Sequence, residues 1–296
     1  MGTAGAQDLF DWRVLRAGGF RLDGGGMFGI IPRSMWSRWV EPDAENRIGL
    51  AMNCALLERD GAGPGGRPLR VLVEAGAGGK WGDKERAIYE FERAPDGSVR
   101  TVEHALAEAG VDPASIDHVV LTHLHFDHAG GLTRTGAGGV LEPVFPNARI
   151  HVQRGEWEDA LGNRSTMTRT YLRTHLDPVA DRVTLHDGAA EPVPGLLLRP
   201  APGHTWHHQA VTWRDALGTV CYPGDVMPTV HHAHPSSSLG YDMLPYRTML
   251  TKRELLEEAD AGRWRLVLDH EPGECVVARP VSSCHRARAR GPRRTP

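Results

Sequence analysis

The feature that most restricts this chain is the segment 122–131, THLHFDHAGG, which continues directly from the apolar, β-branched run DHVVLT at 117–122. A run of that length and composition reads as a short strand. His123 and His125 are two residues apart, so an extended backbone sends both imidazoles off the strand end on the same side, where they can share one cation. Asp127 and His128 follow where the chain turns toward a helix, and they can point to a second cation a few Å away. By chance an HxHxDH pattern occurs in roughly three of every thousand chains of this composition, and a cluster of titratable groups at a strand end is costly without a cation. Metal binding is therefore preferred over a set of hydrogen-bonded loop histidines. Three more candidates stand at the ends of predicted strands beside turn-forming residues: His204 in PGHT, Asp225 in YPGD and His270 in LDHEP.

Around these residues the pattern predicts strands at 48–57 and 69–74, joined by the hairpin connection DGAGPGGRP, and helices at 85–93 and 102–109. Strands are expected again at 149–153, 196–200, 209–213, 219–222 and 265–268, with a helical turn at 155–161. A helix at 252–261 is expected to begin on a capping box of Thr251 and Glu254. Short strands that alternate with helices must bury a face, which points to two packed sheets with helices outside. No boundary divides residues 1–281, read as one domain, whereas the basic, Pro- and Arg-containing segment 282–296 reads as a solvated tail.

The formal charge of -3 offers no field to attract nucleic acid or an anionic membrane. The four cysteines form no CxxC pair, which argues against a disulfide framework and a thiolate zinc knuckle and fits a reducing, cytoplasmic setting. No basic start leading into an apolar stretch and no apolar run of about 18 residues is present, so neither a signal peptide nor a membrane span is expected.

In order along the chain, HLHFDH, GHT, GD and a late DH resemble the metallo-β-lactamase fold superfamily, in its binuclear, lactonase-like branch. The resemblance covers nearly the whole chain. It implies an α/β fold, an αββα four-layer sandwich of two mixed β-sheets flanked by helices, with the site at one edge of both sheets. It assigns His123, His125 and His204 to a first metal, Asp127, His128 and His270 to a second, and Asp225 to a bridge between them. Imidazole and carboxylate donors without thiolate suit two zinc ions, with iron or manganese as alternatives. Two such cations lower the pKa of a shared water toward neutrality, so a bridging hydroxide would attack the carbonyl with no protein nucleophile, and Asp127 and Asp225 would be the catalytic carboxylates.

The implied reaction is cleavage of a carboxylic ester in a small acyl compound, foremost a lactone. A thioester hydrolase similar to glyoxalase II and a non-catalytic metal-binding protein are the alternatives. Lactonase-like relatives are often dimers, which leaves room for a homodimer, although no interface is readable here. The chain departs from the resemblance at His207, where relatives often carry glycine, at Glu74, commonly aspartate, and at Pro228, where lactone-cleaving members often place tyrosine. Tyr241, His232, Tyr222, His231 and His234 are candidates for the missing donor to the substrate carbonyl, and His208 for hydrogen-bonded support of a ligand. The segments 154–182 and 227–247, rich in Trp, Met, Tyr and His, are expected to wall the pocket.

Overall fold

The computed structural model describes residues 8–167 and 169–279. Its strands are β1 (Asp11–Asp23), β2 (Arg47–Arg59), β3 (Leu69–Val73), β4 (His118–Val120), β5 (Thr133–Thr135), β6 (Leu141–Pro143), β7 (Arg149–Gln153), β8 (Val183–His186), β9 (Ala190–Val193), β10 (Leu196–Pro200), β11 (Gln209–Asp215), β12 (Gly218–Tyr222), β13 (Arg265–Val267) and β14 (Val276–Ala278). The helices that matter below are α1 (Gly24–Phe28), α2 (Arg33–Trp36), α3 (Asp83–Tyr89), α4 (Val102–Glu108), α5 (Phe126–Ala129), α6 (Arg154–Leu161), α7 (Arg173–Leu176) and α8 (Pro245–Gly262).

One six-stranded sheet runs β1-β2-β3-β4-β7-β8 and the other β14-β13-β12-β11-β10-β9. Each is mixed. β3, β4, β7 and β8 run parallel and β1–β3 antiparallel, while β12 and β13 are the parallel pair of the second sheet. β2 is apolar almost without interruption because it is buried on both faces. Ala55 and Leu57 point inward with Val71, Val73 and Val120 against Leu198, Val211, Trp213 and Tyr222 of the opposite sheet. Leu56, Leu72, Val119 and Ile150 point outward under Val102, Leu106 and Trp157 of the helices. On the far side, Leu255, Leu256 and Ala259 of α8 cover Cys221 and Leu266. The order of layers is helix, sheet, sheet, helix, as the resemblance implies.

Two expectations need correction. β1 is a 13-residue strand with no counterpart among the predicted elements, because its bulge between Arg16 and Gly19 breaks the simple alternation that marks a strand. The last long helix begins at Pro245, not Lys252. Pro245 fits the first helical turn, where its missing N–H costs nothing; Thr251 lies inside the helix and donates its hydroxyl to the Pro202 carbonyl at 2.7 Å instead of capping.

Among the described residues Cys54, Cys221 and Cys275 are free, and no helix is long and apolar enough to cross a membrane. The segment 282–296 lies outside the described residues.

Candidate metal centre

Parallel strands leave their C-terminal ends at one edge, and loops there collect side chains. β4 stops at Val120, and three residues later His123 enters the loop that winds into α5; His204 follows β10, Asp225 follows β12 in a turn made possible by Gly224 (φ 56°), and His270 follows β13. All seven predicted ligands are buried, and the packing of the two sheets brings them together.

Asp225 sits at the middle. Its Oδ2 lies 3.1 Å from His204 Nε2 and 3.9 Å from His123 Nε2, while its Oδ1 lies 3.2 Å from His270 Nε2 and 3.6 Å from His128 Nε2. His125 Nδ1 is 3.0 Å from His204 Nε2. Asp127 lies on the other side, 3.5 Å from His270 and 3.9 Å from His128. Two sets of donors converge, His123–His125–His204 and His128–Asp225–Asp269–His270. Asp269 was not singled out from the sequence; its position directly before His270 was the available signal.

The imidazoles are held from behind. Nδ1 of His123 meets the Thr122 hydroxyl at 3.0 Å, His128 the Glu74 carboxylate at 3.2 Å, His204 the Asp242 carboxylate at 2.9 Å, and His270 the Ala51 carbonyl at 2.8 Å. Such partners fix the tautomer and turn Nε2 toward the cavity. Glu74 also accepts the Thr122 N–H at 2.7 Å, so its longer arm ties both ends of the HxHxDH loop. It does so from a left-handed conformation (φ 68°) that strains a residue other than glycine. Asn53 donates to the carbonyls of Leu268 and Glu271 and so brackets His270.

Nε2 of His123, His125, His128 and His270 and Oδ1 of Asp225 are buried with no hydrogen-bond partner. Buried polar atoms are ordinarily satisfied, and a divalent cation in each donor set would satisfy these, so the residues fit the group. The electrostatics agree. Burial and neighbouring imidazoles push His123 and His125 well below the ordinary range. Burial opposes charge on His128 too, but Glu74, Asp127 and Asp225 outweigh it and raise its pKa to about 10. Burial would raise Asp225, yet His204, His270 and His128 hold it well below the usual carboxylate range. His123, His125 and Asp225 are thus held in the deprotonated form that binds a cation, and His128 carries a proton that a cation would displace.

A cavity of about 260 Å³ opens onto this cluster, with His125, Asp127, His204, Asp225 and His270 at its floor. Met167, Thr170 and Tyr241 come from the two segments expected to form walls, but Leu22, Asp23 and Met27 near the end of β1 and Ile88 and Tyr89 of α3 supply as much. Trp157 and Tyr171 are buried in the core instead. His232 is not at the cavity: its Nε2 meets the Met27 carbonyl at 2.7 Å, its Nδ1 meets Thr229 at 2.8 Å, and its ring stacks on Phe28. Tyr222 is buried with its hydroxyl on the Asn53 carbonyl, and His231 stacks on Trp39. His208 lies close behind His123, with ring centroids 5.1 Å apart, but neither ring nitrogen has a partner; the hydrogen-bonded support expected of it is not seen.

An αββα sandwich that gathers histidines and aspartates into two donor sets at the common edge of its sheets defines a class of divalent-metal proteins. The chain belongs to the metallo-beta-lactamase superfamily, whose family model matches residues 69–270. It is 37% identical to an N-acyl homoserine lactonase of Bacillus thuringiensis over 106 residues, a stretch that spans 36% of each chain. It is 26% identical to the N-acyl homoserine lactonase AttM of Azorhizobium caulinodans over 70% of this chain and 76% of that one. Among solved structures, a probable metal-dependent hydrolase from Staphylococcus aureus superposes with a TM-score of 0.80 at 26% identity, covering 93% of this chain and 94% of that one. These likenesses support the lactonase-like branch.

Proposed function

We propose that the chain is a binuclear zinc hydrolase that opens a lactone carrying a partly apolar substituent. The observation that carries this reading is Asp225, whose two oxygens face two separate donor sets at the floor of the cavity. His123, His125 and His204 would hold one cation and Asp127, His128 and His270 the other, with Asp225 shared between them. Two bound divalent cations supply Lewis acidity and bring the pKa of water near 7.

The chain's own groups do the rest. Asp127, at the cavity floor, accepts the proton of the attacking water and returns one to the leaving alkoxide oxygen. Tyr241 lines the same cavity, and burial raises its phenol well above the ordinary range, so at neutral pH it remains a donor for the substrate carbonyl. Leu22, Met27, Ile88, Phe126 and Met167 give the cavity an apolar wall that accommodates carbon substituents and excludes water. Arg21 and Arg47 at its mouth are engaged by Asp43, Glu45 and Glu90. That leaves little free positive charge for the anionic thiol carrier a glyoxalase II-like reaction would need.

The experiment is metal analysis of the purified protein with a panel of lactones, aryl esters and thioesters assayed before and after chelation. Near two zinc ions per chain and chelator-sensitive lactone opening are expected. A metal-free protein inactive on every substrate would redirect the reading to a non-catalytic role.

A further inference from the structure

We propose that Glu156 is a positioning residue of the first donor set, a buried carboxylate that locks the loop of His123 and His125 to the loop of His204. The assignment rests on the metal-binding reading above and extends it to a residue that no ligand motif contains.

Glu156 lies on α6 with no exposed surface. Its Oε1 accepts the Leu124 N–H at 3.0 Å and the Tyr171 hydroxyl at 2.9 Å; its Oε2 accepts the Thr205 hydroxyl at 2.6 Å. Leu124 stands between His123 and His125, and Thr205 follows His204. The Tyr171 ring, fixed by the same carboxylate, lies 5.1 Å from the ring of His125. Three neutral donors from three segments therefore converge on one acceptor, and only a carboxylate offers acceptor sites on both oxygens with no N–H or O–H to collide with them. Burying a carboxylate with only neutral partners is expensive, and a cation held by the loops that it joins is the compensation the arrangement provides.

The contacts are selective. His128 is held by Glu74 and His270 by the Ala51 carbonyl, and the three hydrogen bonds that Glu156 accepts reach neither of these side chains nor the groups that hold them. Its loss therefore weakens one cation site and spares the other, whereas a carboxylate that merely stabilised the fold would affect both alike.

Glu156→Gln keeps the size but presents an NH₂ to at least one of the three donors. Thr205→Val removes one hydroxyl and leaves the carboxylate in place. The full-length protein is stripped of metal and titrated with cobalt(II), followed by visible absorption and calorimetry, and circular dichroism reports folding. Wild type is expected to take up two equivalents. In Glu156→Gln one equivalent binds about 10- to 100-fold more weakly and the other is unchanged, with a smaller loss of the same equivalent in Thr205→Val; Glu156→Asp, too short to span both loops, does not rescue. Two unchanged affinities, or two affinities weakened equally, overturn the proposal. If Glu156→Gln fails to fold, Thr205→Val decides by the same criterion. A wild-type chain that takes up no cobalt refutes the metal reading itself and this assignment with it.

Discussion

The glycine pair that closes THLHFDHAGG gives a prediction in which a single methyl group reaches the centre through the backbone. A Cβ on Gly131 would stand 2.0 Å from the Ala75 carbonyl oxygen and 3.2 Å from Val102 Cγ1. Ala75 is fully buried, its N–H is bound to the His128 carbonyl at 3.0 Å, and the Gly131 N–H is bound to Gly76 O at 2.8 Å. Neither strand of backbone has free space, so Gly131→Ala forces them apart by about 1 Å and strains both bonds. Overpacking of this kind costs about 1–3 kcal/mol, and weakening one buried hydrogen bond adds about 1 kcal/mol. The expected loss of about 2–4 kcal/mol corresponds to a fall in Tm of about 4–8 °C for a chain of this size. Ala75 follows Glu74, which orients His128, so metal affinity should fall as well. Gly49→Ala is the control: nothing lies within 4 Å of its Cβ, and a strand glycine without strain is replaced neutrally or with a small gain. Calorimetric melting of both variants and a metal titration decide the matter. Gly131→Ala melting within 1 °C of wild type, with unchanged metal affinity, would refute the reasoning.

Three other outcomes are expected. Asp225→Ala should lose both bound metal and hydrolysis while the circular dichroism spectrum persists; full activity would remove the bridge. Asp242→Asn weakens the charge-assisted bond to His204 Nδ1 and places an NH₂ against either that N–H or the Leu239 N–H, which the carboxylate accepts at 3.2 Å; by about 1–2 kcal/mol per such bond, the first site should bind metal roughly 5- to 30-fold more weakly, as read by chelator competition. The third concerns His118, His151 and His186, which form a chain across β4, β7 and β8 with nitrogen contacts of 2.9 and 3.0 Å. Burial pushes His151 down to about 3, with His118, His186 and Arg149 adding to the effect. The folded pKa lies below the unfolded value of about 6.5, so the unfolded chain takes up the proton first and stability falls as pH drops from about 6.5 toward 3, at up to about 1.4 kcal/mol per pH unit for one proton. His151→Asn should flatten that part of a Tm-versus-pH curve, and an unaltered slope would count against it.

The sequence by itself determined what is local. Two histidines two apart at a strand end share a side because strand geometry has a period of two, and the uninterrupted apolar run of β2 announces burial on both faces whatever covers it. The HxHxDH candidates and two packed sheets with helices outside were legible for this reason, whereas the roles within the ordered ligand set and the four-layer sandwich were implied by the resemblance. Tertiary structure decided everything that depends on which distant segments meet. Glu156, within GEWED, looks in sequence like any acid on a helix surface; it is a buried acceptor only because α6 lies across the loops of residues 123–125 and 204–205. Asp242 reaches His204 from 38 positions away, the end of β1 becomes a cavity wall because β1 pairs with β2, and His232, in a histidine-rich run shortly after Asp225, is turned onto Phe28 and Met27. A candidate ligand can be read from its type and spacing, but what holds it is set by packing between elements, which no local periodicity encodes.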